Sequence, residues 1–330
     1  VSSPLGLDAS SSVASIVVIG DSNSEGTGAT SVLLRWQYLL QQKLRARMQP
    51  VGVTGAAVPY ISASPRVSPP YGDYPRTATG GVTTASYGLG IRAAAIAASD
   101  TVTFTFTGTR AKLYGTKGAT VGKYSIKIDG GAETVVDGVN GTVINGQLIW
   151  DSGTLSVGSH TVVVARAAST VTSPGPVYPE GLMTYNGDTA SGVRVVDAAR
   201  HGATLATFTG SNAWWTALAA VEGAQLLIMP WGANDSTSGT TAAQFKTALN
   251  QMIADTRSAG FTGTVLLLKM PKRGTADAGL WSSYMTQIDA VDLADANVLV
   301  LDLRPSIPDQ GTPAAIAAGL YADEVHFSNA

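Results

Sequence analysis

The chain has 330 residues, 45% of them hydrophobic and only 13% charged, which is enough apolar material for one large or two ordinary domains and argues against disorder. A net charge of −2 without a basic tract offers nucleic acid or an anionic membrane surface nothing to hold, and no stretch approaches the roughly 18 apolar residues of a membrane span. There are no cysteines and only three histidines, so disulfides, thiolate metal sites and a cysteine nucleophile are excluded, and no metal or other cofactor is implied.

The first patterned segment, 15–19, is a short β-branched run that passes directly into Gly20-Asp21-Ser22. Such a run predicts a buried parallel strand, which sets Ser22 at the carboxyl edge of a sheet, where open α/β folds bind ligands. Asp21 and Ser22 could equally do no more than cap the helix that follows. Residues 32–48 have helical spacing, with Leu33, Trp36 (or Gln37), Leu40 and Leu44 on one face, and Pro50 ends the pattern. From 52 to 90 Gly, Pro, Ser, Thr and Tyr dominate without a helical period, which predicts a passage into a separate unit.

The pattern then changes. Segment 101–107 alternates strictly, 112–115 follows a Gly-Thr break, and 124–128 alternates again before Asp129-Gly130, a hairpin signal. Further strands are predicted at 133–136, 148–150 and 160–166, with turn residues between them and no helix, as in a β-sandwich. An α/β alternation resumes with strands at 193–196, 225–229, 264–270 and 298–303 and helices at 212–221, 241–258 and 280–295. This predicts a parallel sheet covered by helices on both faces. The organisation is therefore a discontinuous α/β domain, 1–60 and 185–330, interrupted by an antiparallel β-sandwich at 75–180.

Four places just beyond strands of the α/β part carry chemistry: Ser22, the run from Asp197 to Thr204 containing Gly202, the run from Pro230 to Ser236 containing Asn234, and Asp323 with His326. In a parallel sheet such loops gather at one edge. Converged, they make a machine for acyl transfer. His326 can take the proton of Ser22, and Asp323 can hold the imidazole in the useful tautomer. The amides of Ser22 and Gly202 and the carboxamide of Asn234 can receive the oxyanion. His201 either lines the pocket or bonds a local carbonyl, Trp231 walls a substrate pocket or packs the core, and Arg273 meets an anionic substrate group or solvent. His160, within the sandwich, reads as structural.

Gly20-Asp21-Ser22 with Gly26, the Gly202 segment, Gly232-Ala233-Asn234-Asp235 and Asp323-Glu324-Val325-His326 resemble, in order, the four signature blocks of the SGNH (GDSL-type) hydrolases. The resemblance covers about 1–50 and 190–330. It implies a flavodoxin-like three-layer α/β/α fold and serine esterase or lipase-type activity without a metal. Two features depart from that pattern. Asp197 and Ala199 stand where the second block usually has Asn and Gly, and the helix that usually follows the histidine is not in this sequence.

Residues 104–109, 123–131 and 155–164 resemble a galactose-binding-like jelly roll, a group that includes many carbohydrate-binding modules. An esterase interrupted by such a module is expected to act on an acyl ester, acetyl included, of a polysaccharide or glycoconjugate. Tyr71, Tyr74, Tyr87 and Tyr178 form a sugar platform or pack the junction. An acyltransferase using the same site, and a glycan-binding adhesin with a vestigial hydrolase core, are the competing readings. The composition and the ends of the chain fit a secreted protein, or a segment of a longer cell-wall or phage-tail protein carried on a virion.

Overall fold

The structure, a computed structural model, describes residues 9–10, 12–64, 73–168, 175–209, 214–274, 278–292, 295–323 and 325–328. Tyr71, Glu324, and residues 212–213 and 293–294 of two predicted helices lie outside the described residues.

Five strands form a wholly parallel sheet in the order Gly192–Asp197, Val13–Val18, Ala224–Met229, Thr264–Lys269, Val298–Asp302. Numbered along the chain this is 2-1-3-4-5, the doubly wound order in which ligands sit beyond the carboxyl ends of the strands where the order reverses. The first strand is paired on both sides, and all six of its residues are buried, with side chains alternating between two cores. Ile16 and Val18 face one side with Val193, Val195, Leu226 and Ile228. Val17 faces the other with Val196, Leu227 and Val265, under helices Trp214–Ala219, Ala242–Ser258 and Ala278–Asp292. The second of these starts on a capping box in which Thr241 and Gln244 bond each other's amides. This is the three-layer α/β/α arrangement that the sequence patterns and the SGNH resemblance implied.

The helix on the first face differs from its expected form. Residues Val32–Leu34 make a 3₁₀ turn, Arg35 is extended, and the α-helix runs over Trp36–Met48. Leu33 is exposed, Trp36, Leu40 and Leu44 are half-buried, and the most buried side chains are Gln37, Tyr38 and Gln41. The reason lies in the edge strand Gly192–Asp197. Its unpaired side is bonded by Gln49 Oε1 to the Val193 amide (2.8 Å), Gln41 Oε1 to the Val195 amide (2.9 Å) and Arg45 Nε to the Val193 carbonyl (2.9 Å). The polar stripe closes a sheet edge that would otherwise leave buried amides without partners.

The β module packs two antiparallel sheets face to face. One has the order Ile144–Asp151, Arg110–Lys117, Tyr178–Tyr185, Tyr60–Ser62, and the other Arg76–Thr79, Thr101–Gly108, Gly158–Arg166, Lys123–Ile128, Thr134–Asp137. Phe104, Leu113, Tyr124, Val162, Val164 and Leu182 fill the space between them. Asp129 and Gly130 both take positive φ (49° and 70°), the turn chemistry that their sequence announced. His160 bonds Asp129 Oδ2 (2.7 Å) and the Ser156 carbonyl (2.9 Å), a clamp internal to the module.

The two parts share a core. Tyr60, Leu89, Ile91, Met183 and Tyr185 pack in the same apolar cluster as Val17, Phe208 and Trp214. At its rim Tyr185 donates to Glu222 Oε2 (3.0 Å), Lys112 pairs with the same carboxylate, and the Arg194 guanidinium lies 4.4 Å from the centre of the Tyr185 ring.

Candidate active site

Ser22 opens the one-turn helix Ser22–Glu25 just after strand Val13–Val18. Asp21 caps it by accepting the Asn23 amide (2.9 Å), and Gly26 closes it in the left-handed region with its N–H on the Ser22 carbonyl. The cap is buried, which pushes the Asp21 carboxyl up to about 7, with the nearby Asp235 adding to the effect and the Asn23 and Ser24 amides opposing it.

His326 Nε2 stands 3.0 Å from Ser22 Oγ, and His326 Nδ1 stands 2.7 Å from Asp323 Oδ2. The second Asp323 oxygen accepts the amides of Val325 (2.7 Å) and His326 (2.8 Å). Partial burial works to raise the Asp323 carboxyl, but the His326 ring and these two amides outweigh it and hold it below the usual carboxylate value. A carboxylate can only accept, so Nδ1 carries the ring proton and Nε2 presents its lone pair to the Ser22 hydroxyl.

Two residues not singled out from the sequence hold this loop. Gln310, buried, donates to the Asp323 carbonyl and accepts the Gly274 amide (2.7 Å). Gly28 has φ +97°, and a Cβ there would lie 2.4 Å from the Phe327 carbonyl oxygen and 3.1 Å from His326 Cβ. Only glycine lets the chain after the Ser22 helix pass this close to the histidine loop. The Gly26-Thr27-Gly28 spacing was the available signal.

The loop after strand Gly192–Asp197 lies against the Ser22 turn. The Arg200 amide donates to the Gly20 carbonyl (2.8 Å), and the His201 amide donates to Glu25 Oε2 (2.5 Å). His201 Nδ1 is 3.1 Å from Thr27 Oγ1, and its ring stacks with that of His326, centroids 6.2 Å apart and planes 20° apart. Gly202 takes φ +73°. Among the described residues neither the Ser22 nor the Gly202 amide donates to a protein acceptor. Asn234, in the short helix Ala233–Thr237 beyond strand Ala224–Met229, donates from Nδ2 to the Ala203 carbonyl (2.9 Å), which ties the third block to the second. The second Nδ2 hydrogen is thereby left for another acceptor.

Trp231 is buried edge-on against Phe208, and Arg273 Nη1 donates to the Ala233 carbonyl (2.9 Å). Both also line a small cleft with Asp21, Asn23, Tyr321 and Val325. Tyr87 and Tyr178 form an edge-to-face pair with centroids 5.0 Å apart, and the Tyr74 hydroxyl receives the Ser62 amide (2.9 Å). Among the described residues no three His, Asp or Glu side chains gather where they could hold a metal ion, and no helix is long and apolar enough to cross a membrane.

Asp197 has a specific place here. Its carboxylate meets Arg35 Nη2 (2.5 Å) and Arg92 Nη2 (3.4 Å) and accepts the Ala199 amide (3.0 Å). Burial would raise it, but the two guanidinium groups hold it low, so it is an ion where a neutral carboxamide was expected.

No family model matches the chain, and no curated protein matches it. Among solved structures it superposes on a peptidoglycan O-acetylesterase with a TM-score of 0.71 at 16% identity, over 97% of this chain and 87% of that one. A family 2 carbohydrate esterase with a carbohydrate-binding domain from Corynascus thermopiles (Myceliophthora fergusii) matches with a TM-score of 0.30 at 17% identity, over 72% of this chain and 91% of its own. One from Clostridium thermocellum, in complex with cellohexaose, gives 0.32 at 16%, over 72% and 89%. The first likeness establishes a shared fold along nearly the whole chain; superpositions as loose as the other two carry no argument.

Proposed function

We propose that the chain is an SGNH-type serine esterase that hydrolyses an acyl ester, by its likeness an acetyl ester, on a glycan or glycoconjugate through an acyl-enzyme on Ser22. The observation that carries this reading is the relay Ser22 Oγ, His326, Asp323, with contacts of 3.0 and 2.7 Å. As Ser22 Oγ attacks the ester carbonyl, His326 Nε2 takes the hydroxyl proton, and Asp323 stabilises the imidazolium. The charge that develops on the carbonyl oxygen is received by the amides of Ser22 and Gly202 and the free hydrogen of Asn234 Nδ2. The imidazolium returns the proton to the departing sugar oxygen as the ester C–O bond breaks. Water, deprotonated by the same imidazole, then attacks the acyl-enzyme; the bond between the acyl carbon and Ser22 Oγ breaks, the imidazolium returns its proton to Ser22 Oγ, and the carboxylic acid leaves.

Trp231 and Arg273, which line a cleft with Asp21 and Asn23, support an acyl pocket beside Ser22, and the His201 ring stacked on His326 supports a place for it at the edge of the site. The resemblance of the β module to carbohydrate-binding jelly rolls supports a glycan as the substrate. A structural neighbour that acts on peptidoglycan favours a secreted or virion-borne setting. The test is turnover of a small acetyl ester: Ser22→Ala is expected to abolish it while the far-ultraviolet dichroism and melting temperature hold. Undiminished turnover by that variant would end the proposal.

A further inference from the structure

A four-membered ion cluster lies directly beneath the Ser22 turn, with every side chain at most 2% exposed. Arg92 Nη1 meets Glu25 Oε1 (2.7 Å). Arg92 Nη2 donates to the Asp197 carbonyl (2.8 Å) and approaches its carboxylate, which Arg35 also holds. The other Glu25 oxygen accepts the His201 amide, and Arg200 Nη1 donates to the Ile91 carbonyl (3.1 Å). Two anions thus face two cations, and each anion keeps one oxygen for a backbone amide of the 197–202 loop.

Stability alone does not account for such a cluster, because well-packed apolar side chains of similar volume are commonly as stable as buried ion pairs. Apolar side chains could not hold the Ala199 and His201 amides. Arg92 itself is not contributed by the hydrolase-like part. It follows the 3₁₀ turn Leu89–Ile91 and leads into strand Ala93–Ala95, within the inserted segment. Building on the esterase reading above, we propose that Arg92 is a positioning residue for the oxyanion hole: it fixes Glu25, whose second oxygen sets the His201–Gly202 turn and so aims the Gly202 amide. The β module then completes the active site from beneath, through one guanidinium, whatever it does with sugar.

The experiment measures kcat and KM on para-nitrophenyl acetate, with melting curves, for the intact chain and for Ser22→Ala, Glu25→Gln, Arg92→Lys and the Glu25→Gln/Arg92→Lys double variant. Glu25→Gln keeps volume without leaving an unpaired anion, and Arg92→Lys keeps the charge but cannot reach both partners. Both singles are expected to lose kcat by about 10²-fold, the scale of a 1 Å misplacement, with KM within about twofold. The double variant is expected to be no slower than the slower single, because both changes act on the same amide. A lowered melting temperature with unchanged kcat would overturn the proposal, and so would failure of both singles to fold, which would make the cluster a folding device. Absence of any Ser22-dependent turnover in the unaltered chain would overturn the esterase reading and this one together. Ser22-dependent turnover with unaffected variants would overturn this one alone.

Discussion

Ser22 and His326 are separated by 304 residues of chain, yet His326 Nε2 lies 3.0 Å from Ser22 Oγ. The contact depends on ring orientation, which Asp323 sets by accepting Nδ1–H. Asp323→Asn would offer the ring a donor as readily as an acceptor and so favour the wrong tautomer. The loss in kcat is expected to be on the order of 10⁴-fold, read from single-turnover kinetics at neutral pH. A loss under tenfold would mean that the Gln310 contact and the loop amides orient His326 without the carboxylate.

Gly28→Ala puts a methyl group against the Phe327 carbonyl at a backbone angle that alanine resists. The histidine loop must move away from Ser22, so kcat is expected to fall by about 10²-fold. Activity equal to that of the unaltered chain would show that the loop can move without consequence for the relay.

Asn234→Ala removes both the proposed oxyanion donor and the bond to the Ala203 carbonyl. A cost of roughly 2.7–4 kcal/mol in transition-state stabilisation is expected, seen in kcat more than in KM. An unchanged kcat would take Asn234 out of the oxyanion hole.

Asp21 sets a pH dependence of stability. Its carboxyl is raised from 3.8 to about 7 in the folded chain, first by burial. As pH rises through that window the unfolded chain ionises before the folded one, so the contribution complete below pH 3.8 is lost by about pH 7. Asp21→Asn keeps a neutral cap. The difference in melting temperature, variant minus unaltered chain, should therefore grow between pH 4 and 7 and level off above. A difference independent of pH would mean that the Asp21 carboxyl ionises over the same range in the folded and unfolded chain.

The α/β layout and the order of its chemistry-bearing loops were legible because they rest on local signals: β-branched runs, helical periods, and polar residues just past strand ends. The supports of the site were not. Glu25, Arg92 and Gln310 are single polar residues whose partners lie far along the chain, and no period marks them. The apolar stripe of the helix at 36–48, with Trp36, Leu40 and Leu44, does pack on the sheet, but its start and its polar face were not legible for a related reason. Periodicity finds the apolar stripe, whereas Gln41, Arg45 and Gln49 are turned to the amides and carbonyls of an edge strand that the helix sequence does not reveal. Asp197 looked like a flaw in the second block until Arg35 and Arg92 came into view.

The cluster in which Tyr60, Met183 and Tyr185 pack with Val17 and Trp214 makes the sandwich something other than a cassette. A β-sheet domain hung on a linker can be cut away, swapped or left to melt on its own. Here excision would strip one wall from the interior of the α/β part and take Arg92 from Glu25 and Lys112 from Glu222. The shared cluster couples the two parts, so a change to the inner face of the sandwich is also a change to the interior of the α/β part.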